Sequence, residues 1–205
     1  MIYYLNLKRT FLKKALGQAL IKVNLLEKDP NSIKGESFYL DLPAPYPFTI
    51  LSKTITDNNG LDNFVKNEFE RKYSTVYTNY FKLYFLDLEY KEPNTEGAGG
   101  YFDSVSKCVM LFNGHQKETI AHECLHALGL PHSFYYPSEI YKSRMEEKIR
   151  DKNFFVFKAM ETNNIMDYSH LGVNPVTKNR IDSPKERYLT WHWQWLIVRE
   201  STLLE

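Results

Sequence analysis

His122-Glu123-Cys124-Leu125-His126-Ala127-Leu128-Gly129-Leu130-Pro131-His132 is the stretch that decides how this chain is read. On a helix, residues four apart lie one turn apart on the same face. His122 and His126 therefore point the same way, about 6 Å apart at the backbone. Two imidazoles on successive turns can converge on one ion at metal–nitrogen distances of about 2.0–2.1 Å. Gly129 ends the helix, because glycine takes the left-handed conformation at little steric cost. Pro131 discourages further helix, so His132 can swing back as the third ligand. Three histidines leave one tetrahedral position for water, as in a catalytic rather than a structural Zn²⁺ site. Glu123, beside the first ligand, is placed as the general base that takes the water's proton and passes it to a leaving amine. The plain alternative is a core helix with incidental histidines. It gives no reason for three of them, with a breaker glycine, at these offsets.

The helix carrying the motif has readable boundaries. Asn113 is placed to cap its start, with Gln116 three residues later for the reciprocal bond. Ile120, Cys124 and Ala127 form one apolar line and Ala121, Leu125 and Leu128 another. A helix buried on so much of its circumference holds its histidines rigidly.

Composition narrows the class. Of 205 residues, 43% are hydrophobic and 15% aromatic, enough for a sizeable core. Lys and Arg number 26 against 25 Asp and Glu, and this balance speaks against a nucleic-acid partner. No apolar run approaches the roughly 18 residues of a membrane-spanning helix. The basic start, with Lys8, Arg9, Lys13 and Lys14, lacks the form of a signal peptide. Secretion or export without such a signal is the favoured expectation. Cys108 and Cys124 are the two cysteines, read as buried thiols, with a single bridge as the sharper alternative.

Outward from the motif the chain has an α+β order. Residues 1–28 carry both helical and alternating spacing. Asp29-Pro30-Asn31 and the Pro43, Pro45, Pro47 cluster mark turns and an irregular connection. Residues 1–45 are accordingly set apart as an extension or as part of the same domain, with 46–205 as the main domain. Strands are expected over 48–55, 81–90 and 105–112, and a helix over 61–77. Ser183-Pro184-Lys185-Glu186 looks like a helix start, giving a C-terminal helix over 184–200, although Trp191, Trp193 and Trp195 also alternate as in a strand.

The eleven-residue run resembles the extended zinc-binding signature of the metzincin metallopeptidases. That family carries a second mark downstream, a tight methionine turn, and Asn164-Ile165-Met166-Asp167-Tyr168 looks like it. The resemblance implies a mixed twisted sheet with a backing helix and an active-site helix, above an irregular lower part with the methionine turn and a C-terminal helix. It implies one catalytic Zn²⁺ on His122, His126 and His132, with Gly129 turning the chain and Met166 as the hydrophobic floor. Tyr168 would bind the metal at rest or stabilise the oxyanion, as in astacins and serralysins, or simply hydrogen-bond in the wall. Ser133, the residue after the third histidine, matches the matrixin branch instead. A helix near 138–150 is expected within the long connection to the turn. An edge strand near Gly99–Asp103, or the strand after it, would receive an extended protein or peptide substrate, and the loop 170–182 would wall a side-chain pocket. A weaker likeness, through 164–168 and Trp191-His192-Trp193-Gln194-Trp195, is to metzincin-like domains of bacterial secreted effectors or toxins. The reading is a zinc endopeptidase. Its rivals are a non-catalytic zinc-stabilised binding module and a latent effector or toxin domain whose residues 1–45 cover the cleft.

Overall fold

The computed structural model describes residues 2–26, 28, 34, 38–41, 44–46, 48–51, 54–57, 60–73, 75–77, 80–91, 99–103, 108–130, 132–135, 157–158, 160–167, 170–173, 180–182 and 186–203. They form an α+β fold with four α-helices and small sheets. The chain divides into two units, Met1–Lys22 with Lys117–Glu205, and Val23–Gln116. The stretch 1–45 is thus shared: its first 22 residues belong with the motif helix. No helix among the described residues is long and apolar enough to cross a membrane.

The unit Val23–Gln116 is built around a three-stranded mixed sheet. β3 (Lys82–Phe85) runs parallel to the central β6 (Cys108–Leu111), and β5 (Gly100–Asp103) is antiparallel to β6 at the edge. The run Cys108-Val109-Met110-Leu111 is buried at every position, as a strand covered on both faces must be. α2 (Leu61–Tyr73) contributes Leu61 and Val65 to one core cluster with Tyr84, Cys108, Met110 and Phe112. A helix thus covers one sheet face, as its apolar spacing requires. A second sheet joins β1 (Thr49–Leu51), β2 (Thr54–Asp57) and β4 (Glu89–Tyr90).

Several expected elements are shorter than their patterns. The strand expected over 48–55 folds back on itself as the antiparallel pair β1–β2. The strand expected over 81–90 splits, β3 and β4 serving different sheets. The helix expected over 61–77 stops at Tyr73 and resumes only as a 3-10 turn over Thr75–Tyr77. Alternation and periodicity specify a face, whereas these breaks are set by tertiary pairing.

The other unit contains α1 (Ile2–Gly17), α3 (Lys117–Ala127), the short pair β7 (Phe134–Tyr135) and β8 (Phe157–Lys158), the hairpin β9 (His170–Val173) and β10 (Arg180–Asp182), and α4 (His192–Leu203). The ambiguous N-terminus is helical, and α1 packs against α3 with Leu12, Ala15, Leu16 and Ala19 buried. α3 starts at Lys117, not at an Asn113 cap, because Asn113 and Gly114 form a preceding turn. Asn113 donates its N–H to the Leu88 carbonyl, and Gly114 has φ of +81°. α4 starts at His192 rather than Pro184. The segment before it is held extended, with Tyr188 and Leu189 N–H groups donating to the Asn163 carbonyl. The helix expected near 138–150 lies outside the described residues.

Leu61 is fully buried at the centre of the α2–sheet core. Leu61→Ala is expected to cost about 2–5 kcal/mol through lost burial and a residual cavity. A denaturant titration followed by circular dichroism measures it.

Candidate metal centre

α3 and the turn after it bring the three motif histidines together. The His126 Nε2 lies 3.1 Å from the His122 Nε2 and 3.0 Å from the His132 Nε2. Ring centroids are 4.4, 4.6 and 5.2 Å apart. Nitrogens bound tetrahedrally to one ion at about 2.0–2.1 Å would lie roughly 3.3 Å from one another. The observed spacing is close to that, and these residues form a group able to hold a metal ion.

The protons settle what this convergence means. The His122 Nδ1 is 2.7 Å from the Ile165 carbonyl oxygen, and the His126 Nδ1 is 2.8 Å from the Leu130 carbonyl oxygen. A carbonyl only accepts, so each Nδ1 carries the hydrogen and each neutral ring has a bare Nε2. Two bare nitrogens 3.1 Å apart cannot hydrogen-bond to each other. A proton, a donor such as water, or a metal ion between them would satisfy these lone pairs, and the three residues could hold a metal ion. Burial opposes the proton: it pushes His122 well below the usual histidine range, with further lowering from His126 and His132. His126 and His132 are lowered as well, desolvation again being the first cause.

The second ligand is oriented by the helix end. Gly129 has φ of +81°, the left-handed conformation that its lack of a Cβ allows. Its N–H donates to the His126 carbonyl at 2.9 Å, and the Leu130 N–H donates to the Leu125 carbonyl at 3.0 Å. These two bonds make a Schellman motif, with the accompanying apolar contact available to buried Leu125 and Leu130. The Leu130 carbonyl, fixed by that turn, receives the His126 Nδ1–H. Gly129 therefore does more than let the chain return to His132.

The first ligand is oriented from far along the chain. Asn164 to Asp167 form a tight turn closed by the Asp167 N–H donating to the Asn164 carbonyl at 3.0 Å. Ile165, inside it, supplies the carbonyl for His122. Met166 is fully buried, and its carbonyl accepts the Ser133 N–H at 3.2 Å, next to the third histidine. One turn thus meets the chain at both ends of the ligand set. It is secured in its own right: the Asp167 carboxylate accepts the N–H groups of Met160 and Thr162 and the Thr162 hydroxyl. The Arg187 guanidinium donates to the Asp167 carbonyl at 2.8 Å.

Glu123 sits on α3 and is only 9% exposed. Cys124 beside it is buried, and desolvation followed by the Glu123 charge pushes its thiol up to about 12, a structural rather than reactive cysteine. Cys108 and Cys124 are both buried thiols, not joined by the bridge held open as the alternative. Tyr168 lies outside the described residues. Asn164 and Asp167 are legible in the sequence only as members of the turn, and Arg187 and Gln194 are supporting residues that it does not announce. An asparagine opening a turn is a weak local signal, and Asp167 bonds locally to Met160 and Thr162; Arg187 and Gln194 gain meaning only from partners distant in sequence. No family model, no curated protein and no solved structure matches the chain.

Two outcomes follow. Gly129→Ala is expected to cost about 1 kcal/mol or more, because a Cβ is strained at this φ, and to loosen metal binding. Thermal melts with metal titration test both. For the metal-free protein, unfolded histidines take up protons near pH 6.5 while the folded trio, desolvated to differing degrees, resists them. The unfolded state then binds more protons, so stability is full above about pH 6.5 and falls as the pH drops below it. Melts in chelator from about pH 8 to 5 should show that fall, diminished in His132→Ala.

Proposed function

We propose that this chain is a zinc-dependent endopeptidase of the metzincin kind. The observation that carries the reading is the meeting of three Nε2 atoms, two of them bared by backbone carbonyls that hold the opposite ring nitrogens. Neutral imidazoles suit zinc and its transition-metal neighbours, not magnesium or calcium, which take oxygen ligands. His122, His126 and His132 would hold the ion through those atoms. When bound, zinc polarises a carbonyl and lowers the pKa of water.

The chain's own residues do the rest. Glu123, adjacent to the first ligand and buried with it, holds a proton at its carboxylate and returns it to the leaving amine nitrogen. Its burial raises its effectiveness, since charge is felt more strongly away from water. The Ile165 and Leu130 carbonyls hold the ligand rings in register. Met166 fills the turn beneath the ligand set, and Tyr168, two residues on, is assigned to the substrate carbonyl oxygen. A sheet backed by α2, a motif helix ending at a glycine, a buried methionine turn and a C-terminal helix all support the metzincin reading. An extended protein or peptide is the proposed substrate.

Glu123→Ala is expected to keep one zinc per chain and lose peptide cleavage by about 10²–10⁴-fold. Metal analysis beside mass spectrometry of products from a peptide library tests this. Cleavage at the wild-type rate by the zinc-loaded variant defeats the mechanism. A zinc-loaded wild type that cleaves nothing reduces the metal to a staple of the fold.

A further inference from the structure

We infer that Gln194 is a positioning residue for the metal, acting through the Asn164–Asp167 turn; the inference rests on the trio being a metal centre, not on the peptidase activity. Gln194 lies in the first turn of α4 and is 0% exposed. A buried side-chain amide has donors and an acceptor to satisfy. Its Oε1 accepts the Asn164 Nδ2–H and the Trp191 N–H, each at 2.8 Å. Its Nε2 donates to the Asn164 Oδ1 at 3.1 Å. The two amides therefore grip each other reciprocally, and the Trp191 bond ties that grip to the start of α4.

The Asn164 side chain is in turn part of the methionine turn. Its Oδ1 also accepts the Met166 N–H at 2.9 Å, which shapes the backbone on either side of Ile165. The Ile165 carbonyl is the acceptor that holds the His122 ring. The relay runs from Gln194 to the Asn164 amide, to the turn, to one carbonyl and to the first ligand. The Asp167 and Arg187 bonds secure the far end of the same turn. Gln194 secures the near end, where the ligand-orienting carbonyl begins. Outer partners of metal ligands usually shift affinity by 10–100-fold when removed. Gln194 acts one layer further out, so its removal is expected to sit at the low end of that range.

The test uses the full chain, stripped of metal and reloaded. Zn²⁺ affinity is measured by competition with a chromophoric chelator, and ligand geometry by the visible absorption of the Co²⁺ form. Gln194→Met keeps the volume and removes the hydrogen bonds. It should bind Zn²⁺ about tenfold more weakly and change the Co²⁺ spectrum. Gln194→Glu keeps an acceptor for Asn164 and Trp191 but loses the donor, and should fall between. Val65→Ala, a core truncation in the other unit, should lower the melting temperature and leave both metal readouts unchanged. The proposal is overturned if folded Gln194→Met matches wild type in affinity and spectrum, or if Val65→Ala weakens binding equally. Should Gln194→Met not fold, wild-type affinity and spectrum in Gln194→Glu overturn it. A wild-type chain that takes up no metal at all sinks the metal centre itself, and the positioning role with it.

Discussion

Three ring nitrogens face one another in a largely buried place, and at least two of them present lone pairs. That is an unfavourable arrangement on its own. The His122 and His126 Nδ1–H groups are held by backbone carbonyls, so neither ring can turn its hydrogen inward without breaking a buried bond. Burial resists the proton that would otherwise relieve the repulsion. The α3 region thus brings three imidazoles to a place where they could hold a metal ion. The Schellman turn, the buried methionine turn and the reciprocal amide pair are the means by which that arrangement is kept in place.

The two orienting carbonyls differ in how they are secured. Leu130 belongs to the same short run as His126, and its carbonyl is set by the Gly129 turn alone. Ile165 stands 43 residues from His122. Its position depends on the Leu189 carbonyl accepting its N–H, on Asp167 and on Arg187. The second ligand is thus oriented by contacts local to α3, whereas the first depends on a partner far along the chain. Gln18, at the end of α1, joins the same assembly by bonding to the Tyr188 carbonyl and to Thr190. Metal affinity and folding of this unit are accordingly linked, because the ligands reach their geometry only in the folded chain.

This contrast also explains what could be read from sequence. The motif helix, its glycine stop and the return of His132 were legible because each rests on local rules: a four-residue repeat, one left-handed residue and one proline. The turn at Met166 was legible only through resemblance, and that resemblance pointed to the methionine rather than to Asn164, which shapes the turn. Gln194 was hidden in an aromatic alternation, Trp191-His192-Trp193-Gln194-Trp195, that reads equally as strand or helix. Nothing in that run announces that its glutamine is the most deeply buried side chain, since its partner lies 30 residues away. Asn113 failed as a cap for a related reason. Gly114, with its left-handed φ, turns the chain after Asn113, and the helix begins only at Lys117.

With no matching relative, the choice between a catalytic and a structural ion falls to the chemistry of the donors. A structural zinc site normally closes its coordination with four protein ligands. Among the described residues the group that could hold an ion consists of three histidines, two of them only partly buried. A binding module needs no carboxylate at Glu123, and a mostly buried carboxylate is costly unless its surroundings reward it. In the proposed peptidase the same group would have a proton to manage. Glu123, mostly buried beside His122, is the residue on which the proposed hydrolytic reading and a structural one part.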